Sequence, residues 1–145
     1  MAIRGVKPEE ALRLMDEEGF VYLDVRSVPE FEQGHPAGAF NVPLLHMSSV
    51  GMQPNDQFIE VVTRAFDKDA KIVVGCKSGN RSMRAAQSML DAGFTTVVDQ
   101  LAGFSGAADA FGRMAEPGWQ LKGLAVSTTA LSGRTWAELE KKARG

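Results

Sequence analysis

The segment that most constrains this chain is the short β-branched run Lys71-Ile72-Val73-Val74-Gly75. It passes without a linker into the polar stretch Cys76-Lys77-Ser78-Gly79-Asn80-Arg81-Ser82. A brief apolar run bounded by turn-forming residues reads as a buried strand. Ala85, Ala86, Met89 and Leu90 then recur at helical spacing, and Gly93 suits a helix stop. A buried strand feeding directly into a helix belongs to a βα unit, and the same alternation runs along the chain.

Pro8 with Glu9 and Glu10 suits a helix start, Ala11, Leu12 and Met15 repeat at helical spacing, and Gly19 closes the segment. Phe20 to Val25 reads as a strand, and Pro29-Glu30-Phe31-Glu32 as a short helix ending near Gly34. A loop rich in glycine and proline follows, as far as Pro43. Asn55 can cap a helix carrying Phe58, Val61, Val62, Ala65 and Phe66. Thr95 to Val98 reads as another strand, and a glycine-broken loop, Ala102 to Gly106, leads to an expected last helix with Phe111 and Met114. Strands alternating with helices predict an α/β fold with a mainly parallel sheet. At 145 residues the chain has room for one domain with a proper core.

Beyond Gly123 the pattern changes. Val126 to Thr129 is linker-like, and Thr135-Trp136-Ala137-Glu138 fits a capping box that predicts a short helix from Thr135 to Lys142. The expectation is a domain over residues 1–122 and a semi-ordered C-terminal extension over 123–145 containing that helix.

Charge narrows the function. Sixteen basic and eighteen acidic residues give a net charge of −2 with no basic stripe, which disfavours nucleic acid as a partner. No apolar run is long enough to cross a bilayer, and no secretory signal is visible from Met1 to Gly5, so no membrane partner is expected and a cytoplasmic location is. One cysteine, Cys76, and two histidines, His35 and His46, exclude an intramolecular disulfide and a multi-cysteine metal site. His35 reads as a structural hydrogen-bonding residue, and the seven methionines mainly as core filling.

Cys76 is the residue to which chemistry points. Ligands in parallel α/β sheets bind beyond the carboxyl ends of the strands, and Cys76 stands there, just before a helix. Backbone N–H groups of a tight loop and a helix N-terminus favour a thiolate. Gly79 lets the loop curl, and Lys77, Arg81 and Arg84 add positive charge. An electropositive cradle around a lone thiolate suits attack by sulfur on an anionic substrate.

These residues resemble those of a known family. Leu23-Asp24-Val25-Arg26, Glu30-Phe31, Gly34-His35 and Gly38-Ala39-Phe40-Asn41-Val42-Pro43, with Cys76 to Ser82 as a C-x-x-G-x-R-S loop, are similar to the single-domain rhodanese family. Gly51-Met52 with Asn55 and Phe58, and Ala92-Gly93-Phe94, look like its small thiosulfate sulfurtransferase-like members. The resemblance spans about residues 4 to 122. It implies a three-layer rhodanese-like fold, with a central, mainly parallel five-stranded sheet flanked by helices.

It also implies a sulfurtransferase. Cys76 would take the outer sulfur of a donor such as thiosulfate as a persulfide and pass it to a thiol, to cyanide or to a protein acceptor. The loop from Lys77 through Ser78, Gly79, Asn80 and Arg81 to Ser82 would bind the anion, and Asp24 and Arg26 would brace the loop from a neighbouring strand. No metal, nucleotide or organic cofactor is implied. The sequence departs from the family where Ala102 replaces the first of two glycines and no tryptophan appears before Trp119.

Two other readings have features of their own. Phosphatases and arsenate reductases of this fold use a loop with five residues between Cys and Arg, whereas four separate Cys76 from Arg81. A residue spans up to about 3.3–3.6 Å of chain, so the shorter loop suits attack on an exposed sulfur rather than on a phosphate. A sulfur-carrier module for a protein partner rests on the C-terminal helix around Trp136.

Overall fold

The computed structural model describes residues 3–145; Met1 and Ala2, part of the stretch read for a secretory signal, lie outside the described residues. The chain begins with β1 (Arg4–Val6), α1 (Pro8–Glu17), β2 (Val21–Asp24), α2 (Val28–Gln33), β3 (His35–Pro36) and β4 (Phe40–Asn41). It continues through β5 (Leu45–Ser48), β6 (Gly51–Pro54), α3 (Phe58–Ala65), β7 (Lys71–Gly75), α4 (Asn80–Asp91) and β8 (Thr96–Gln100). It ends with β9 (Gly106–Ala108), β10 (Met114–Pro117), β11 (Val126–Ser127) and α5 (Trp136–Arg144).

Five strands form the central sheet in the order β1-β8-β7-β2-β4, and every neighbouring pair is parallel. The strand at its centre is β7, the run from which the sequence reading starts. Side chains alternate across a strand. Ile72, Val74 and Cys76 accordingly join the core beneath α3, α4 and α5, while Val73 joins Ala11 and Leu14 of α1 in the other core. Both faces are covered, as parallel sheets require, and three layers result.

Local signals explain most helix ends. Pro8 occupies the first turn of α1, where a missing N–H costs nothing. Ser27 and Glu30 close a capping box on α2. Asn55 lies just outside α3, accepting from the Gln57 amide through Oδ1, and the N-cap itself is Gln57.

Several expectations fail for identifiable reasons. The predicted last helix is the antiparallel hairpin β9–β10. Asp109 Oδ1 accepts from the amides of Phe111 and Arg113, an Asx turn that reverses the chain, and Phe111 is 83% exposed at the tip. A second hairpin, β5–β6, forms where no strand is expected. The methionines divide: Met89 is core, whereas Met47, Met52, Met83 and Met114 are exposed.

The C-terminal residues pack on the domain. Val126 and Ser127 pair with Pro36 and His35, and α5 buries Leu139 and Ala143 in the core against α3. The Thr135 capping box forms as the sequence suggests, with the Thr135 hydroxyl accepting from the Glu138 amide. Trp136 packs against that core and against the His46 ring. Composition hides this because the segment is held by two residues of sheet and one helix stripe rather than by an apolar run.

One charge stands out inside the fold. Asp99 of β8 is fully buried and neither carboxylate oxygen has a hydrogen-bond partner among the described residues. Burial pushes its pKa up to about 6, opposed by the nearby Ser82 hydroxyl. A carboxyl whose folded pKa lies above its unfolded value stabilises the fold while protonated and loses that contribution as pH rises through the folded value.

Urea unfolding of Leu139→Ala should show a loss of about 2–5 kcal/mol; a loss under about 0.5 kcal/mol would mean that α5 is not part of the core. Between pH 4 and pH 7, the stability of Asp99→Asn relative to the parent should improve by about 1–3 kcal/mol, and a difference that stays flat with pH would contradict the buried, unpaired carboxylate.

Candidate active site

Cys76 follows the last residue of β7 and is 2% exposed. Strand geometry fixes its Cα, and the next three residues turn the chain into α4. Gly79 makes this turn possible at φ 104°, a left-handed conformation that L side chains rarely adopt, and a Cβ there would lie 2.5 Å from the Leu101 carbonyl oxygen. The turn brings the Gly79 amide to 3.0 Å from Cys76 Sγ, donating to it.

The loop is held down by the turn after β8. The amide of Phe104 donates to the Cys76 carbonyl at 2.7 Å, and that of Ser105 to the Lys77 carbonyl at 3.0 Å. Gly103 is required by this approach, because a Cβ would meet the Lys77 and Cys76 carbonyl oxygens at 2.5 and 2.6 Å. Ala102, where the family's first glycine is expected, is buried. Trp119 braces the same turn: its amide donates to the Gly103 carbonyl and its indole to the Ala125 carbonyl, with the ring edge-on to Tyr22.

The predicted loop residues separate in space. Gly79 and Ser82 reach the sulfur, while Lys77, Ser78 and Asn80 are exposed. The Cys76 thiol donates to Ser82 Oγ at 3.5 Å, and Ser82 Oγ donates to the Gly79 carbonyl at 3.1 Å. When the thiol is ionised it no longer donates to Ser82, and the Ser82 hydroxyl can turn from the Gly79 carbonyl to the sulfur as a second donor.

Arg81 points elsewhere. Its guanidinium is bound in a fork by Glu30 of α2, at 2.7 and 3.0 Å. Burial pushes the Glu30 carboxyl up, but Arg81 and the Ser27 hydroxyl and amide outweigh it and hold its pKa at about 2. The same pair raises the pKa of Arg81. In sequence Glu30 reads as a helix residue and as part of the Glu30-Phe31 motif; Ser27-x-x-Glu30 is the signal that it caps α2, and nothing local marks its pairing with Arg81.

Asp24 and Arg26 form a buried pair, with Arg26 Nη2 2.7 Å from Asp24 Oδ2 and also donating to the Gly34 carbonyl. Arg26 lies over the Phe104 ring at 4.3 Å, so the pair ties β2 to the turn that anchors the Cys76 loop. Asn41 joins them from β4, its Nδ2 donating to the carbonyls of Asp24 and Arg26.

Beside the loop lies a polar cleft of about 230 Å³, lined by Lys77, Arg26, Glu30, Gln33, Ser105 and Gln120 among others. Arg26 has Asp24 and Glu30 has Arg81, which leaves Lys77 as the one lining cation with no carboxylate partner among the described residues. A thiolate held by the Gly79 amide, next to a loop residue that carries an unpaired cation into the cleft, suits attack on a small anion.

Comparison with known proteins bears on the family and the fold. The profile described as Rhodanese-like domain matches residues 7–110. Thiosulfate sulfurtransferase 16 of Arabidopsis thaliana, a chloroplastic protein, is 47% identical over 87 residues, covering 60% of this chain and 72% of its own length. Rhodanese-like domain-containing protein 15 of the same plant, also chloroplastic, is 39% identical over 97 residues, covering 67% of this chain and 53% of its own length. The match thus spans about half of that relative.

Among solved structures, Rv0390 from M. tuberculosis superposes with a TM-score of 0.72 at 29% identity, covering 88% of this chain and all of that one. The chloroplastic relatives overturn the cytoplasmic location expected from the sequence. A targeting address is not part of a domain's packed core, so residues that specify this fold carry no information on compartment. With its five-stranded parallel sheet, its Cys76 loop and the profile match over residues 7–110, the chain belongs to the rhodanese-like domain family.

Proposed function

We propose that this domain is a sulfurtransferase in which Cys76 carries sulfane sulfur from an anionic donor such as thiosulfate to a thiol or cyanide. The thiolate attacks the outer sulfur of the donor, a new S–S bond forms at Cys76, and the old one breaks with its electron pair leaving on sulfite. An acceptor nucleophile then attacks the outer sulfur, and the bonding pair returns to Cys76 as thiolate. The observation that carries this reading is the Gly79 amide 3.0 Å from Sγ at the start of α4, a preorganised donor for sulfur in its anionic form.

The other residues take graded roles in this reading. Ser82 supplies a second donor to the thiolate. Lys77 attracts the donor anion, being the unpaired cation of the cleft. Arg81 shapes the loop through Glu30 rather than binding the anion. Asp24 and Arg26 brace the turn against which the loop rests.

The rival readings have less support. Four residues between Cys76 and Arg81, and no acidic residue in the loop, disfavour a phosphatase. The helix that suggested a carrier module spends Trp136 and Leu139 on its own core.

With thiosulfate and cyanide as substrates, thiocyanate formation should fall to background in Cys76→Ser, while Lys77→Ala should raise the KM for thiosulfate about two- to fivefold with the fold intact. Turnover that survives in folded Cys76→Ser would overturn the reading.

A further inference from the structure

Asp99 is fully buried, and neither of its oxygens has a hydrogen-bond partner among the described residues. A lone carboxylate at that depth is unfavourable, so its presence there calls for a reason. Its place in the sheet supplies one. Asp99 is in register with Val74 of β7 and follows Val97 by two residues on β8. Side chains alternate across a strand, so Asp99 shares the face of Val74, Cys76 and Val97, beneath α4.

The same face receives Ser82, which α4 buries completely. Ser82 stands between the two ionisable groups. Cys76 Sγ is 3.5 Å from its Oγ, and its hydroxyl is the side chain that opposes the effect of burial on Asp99. Ser82 gives its hydrogen to the Gly79 carbonyl at 3.1 Å. A hydroxyl hydrogen rotates to suit its acceptor, so Ser82 can give it to Asp99 instead. Burial and Ser82 account for the Asp99 pKa of about 6. Among the described residues of the elements packed against β8, no other charge pairs with it. Arg4 of β1 pairs with Glu10 and Arg81 of α4 with Glu30, while Lys71 of β7 and Arg84 and Asp91 of α4 are exposed.

We propose that Asp99 is a positioning residue that takes the Cys76 proton through Ser82. Ser82 passes its hydrogen to the Asp99 carboxylate and receives the thiol hydrogen, so a thiolate and a neutral carboxyl replace a thiol and a carboxylate. One negative charge moves to the sulfur, and no net charge is added to the core. The proposal rests on Cys76 being the sulfur-carrying nucleophile and adds where its proton goes before attack.

Alkylation of the full chain by iodoacetamide reads the thiolate without any sulfur donor. Followed from about pH 5 to about pH 10, its rate should rise in two steps in the parent, because two coupled groups titrate as a pair. In Asp99→Asn it should rise in one step, at least about one pH unit below the parent's upper step. The Asp99 carboxyl carbon, followed by ¹³C NMR, should likewise move in two steps in the parent and in one in Cys76→Ser. A single step in the parent, two steps that persist in Asp99→Asn, or a carboxyl titration unchanged by Cys76→Ser would each overturn the proposal. A chain that shows the coupled steps yet gains no sulfur from thiosulfate would leave the proton path standing and overturn the sulfurtransferase reading alone.

Discussion

The Cys76 loop exists because two pieces of backbone meet without side chains between them. The turn after β8 donates two amides to the carbonyls of Cys76 and Lys77, and Gly103 makes that approach possible. Cys76 is buried, and its carbonyl left without a partner would cost about 1–3 kcal/mol. With this docking in place, the loop presents the Gly79 amide to the sulfur instead of relaxing into an ordinary strand-to-helix connection. Gln100, Trp119, Phe104 and Arg26 are arranged around the same turn, and each of them acts on the sulfur only through it.

Electrostatics at the site follow from which charges are already paired. Arg81 looks in sequence like part of an anion cradle, yet it is bound to Glu30, and Arg26, read as a brace, is bound to Asp24. Pairing is expected for charges at such depth, because an uncompensated buried ion costs several kcal/mol. The positive field available to a substrate is therefore that of Lys77, the donors at the sulfur and the N-terminus of α4. Asp99 is the exception, a carboxylate left alone in the core with its pKa moved toward neutrality.

The sequence made the parallel core legible and hid what is held by few residues. Ile72-Val73-Val74 announces β7 because a central strand buried on both faces must be apolar throughout. The position of Cys76 at its end, and the need for Gly79, follow from the same strand-to-helix junction. In contrast, β1 has three residues and β11 two, too short for any periodicity. The β9–β10 hairpin carries Phe111 and Met114 outward, so its apolar residues imitate a helix stripe while Asp109 sets the actual turn. The pairing of Glu30 with Arg81 has no local signal, because the two lie 51 residues apart in the chain. His35 was read as structural, and its Nδ1 contact with the Phe31 carbonyl is of that kind; its bare Nε2 depends on a fold that no local pattern reports.

The central claim is that the sulfur of Cys76 becomes covalently loaded. Intact-protein mass spectrometry after thiosulfate treatment measures this without reference to any acceptor. The account predicts a gain of about 32 Da, one sulfur atom, that is absent in Cys76→Ser and removed by cyanide. A folded protein with a reactive Cys76 thiol that gains no mass, or an equal gain in Cys76→Ser, would contradict it.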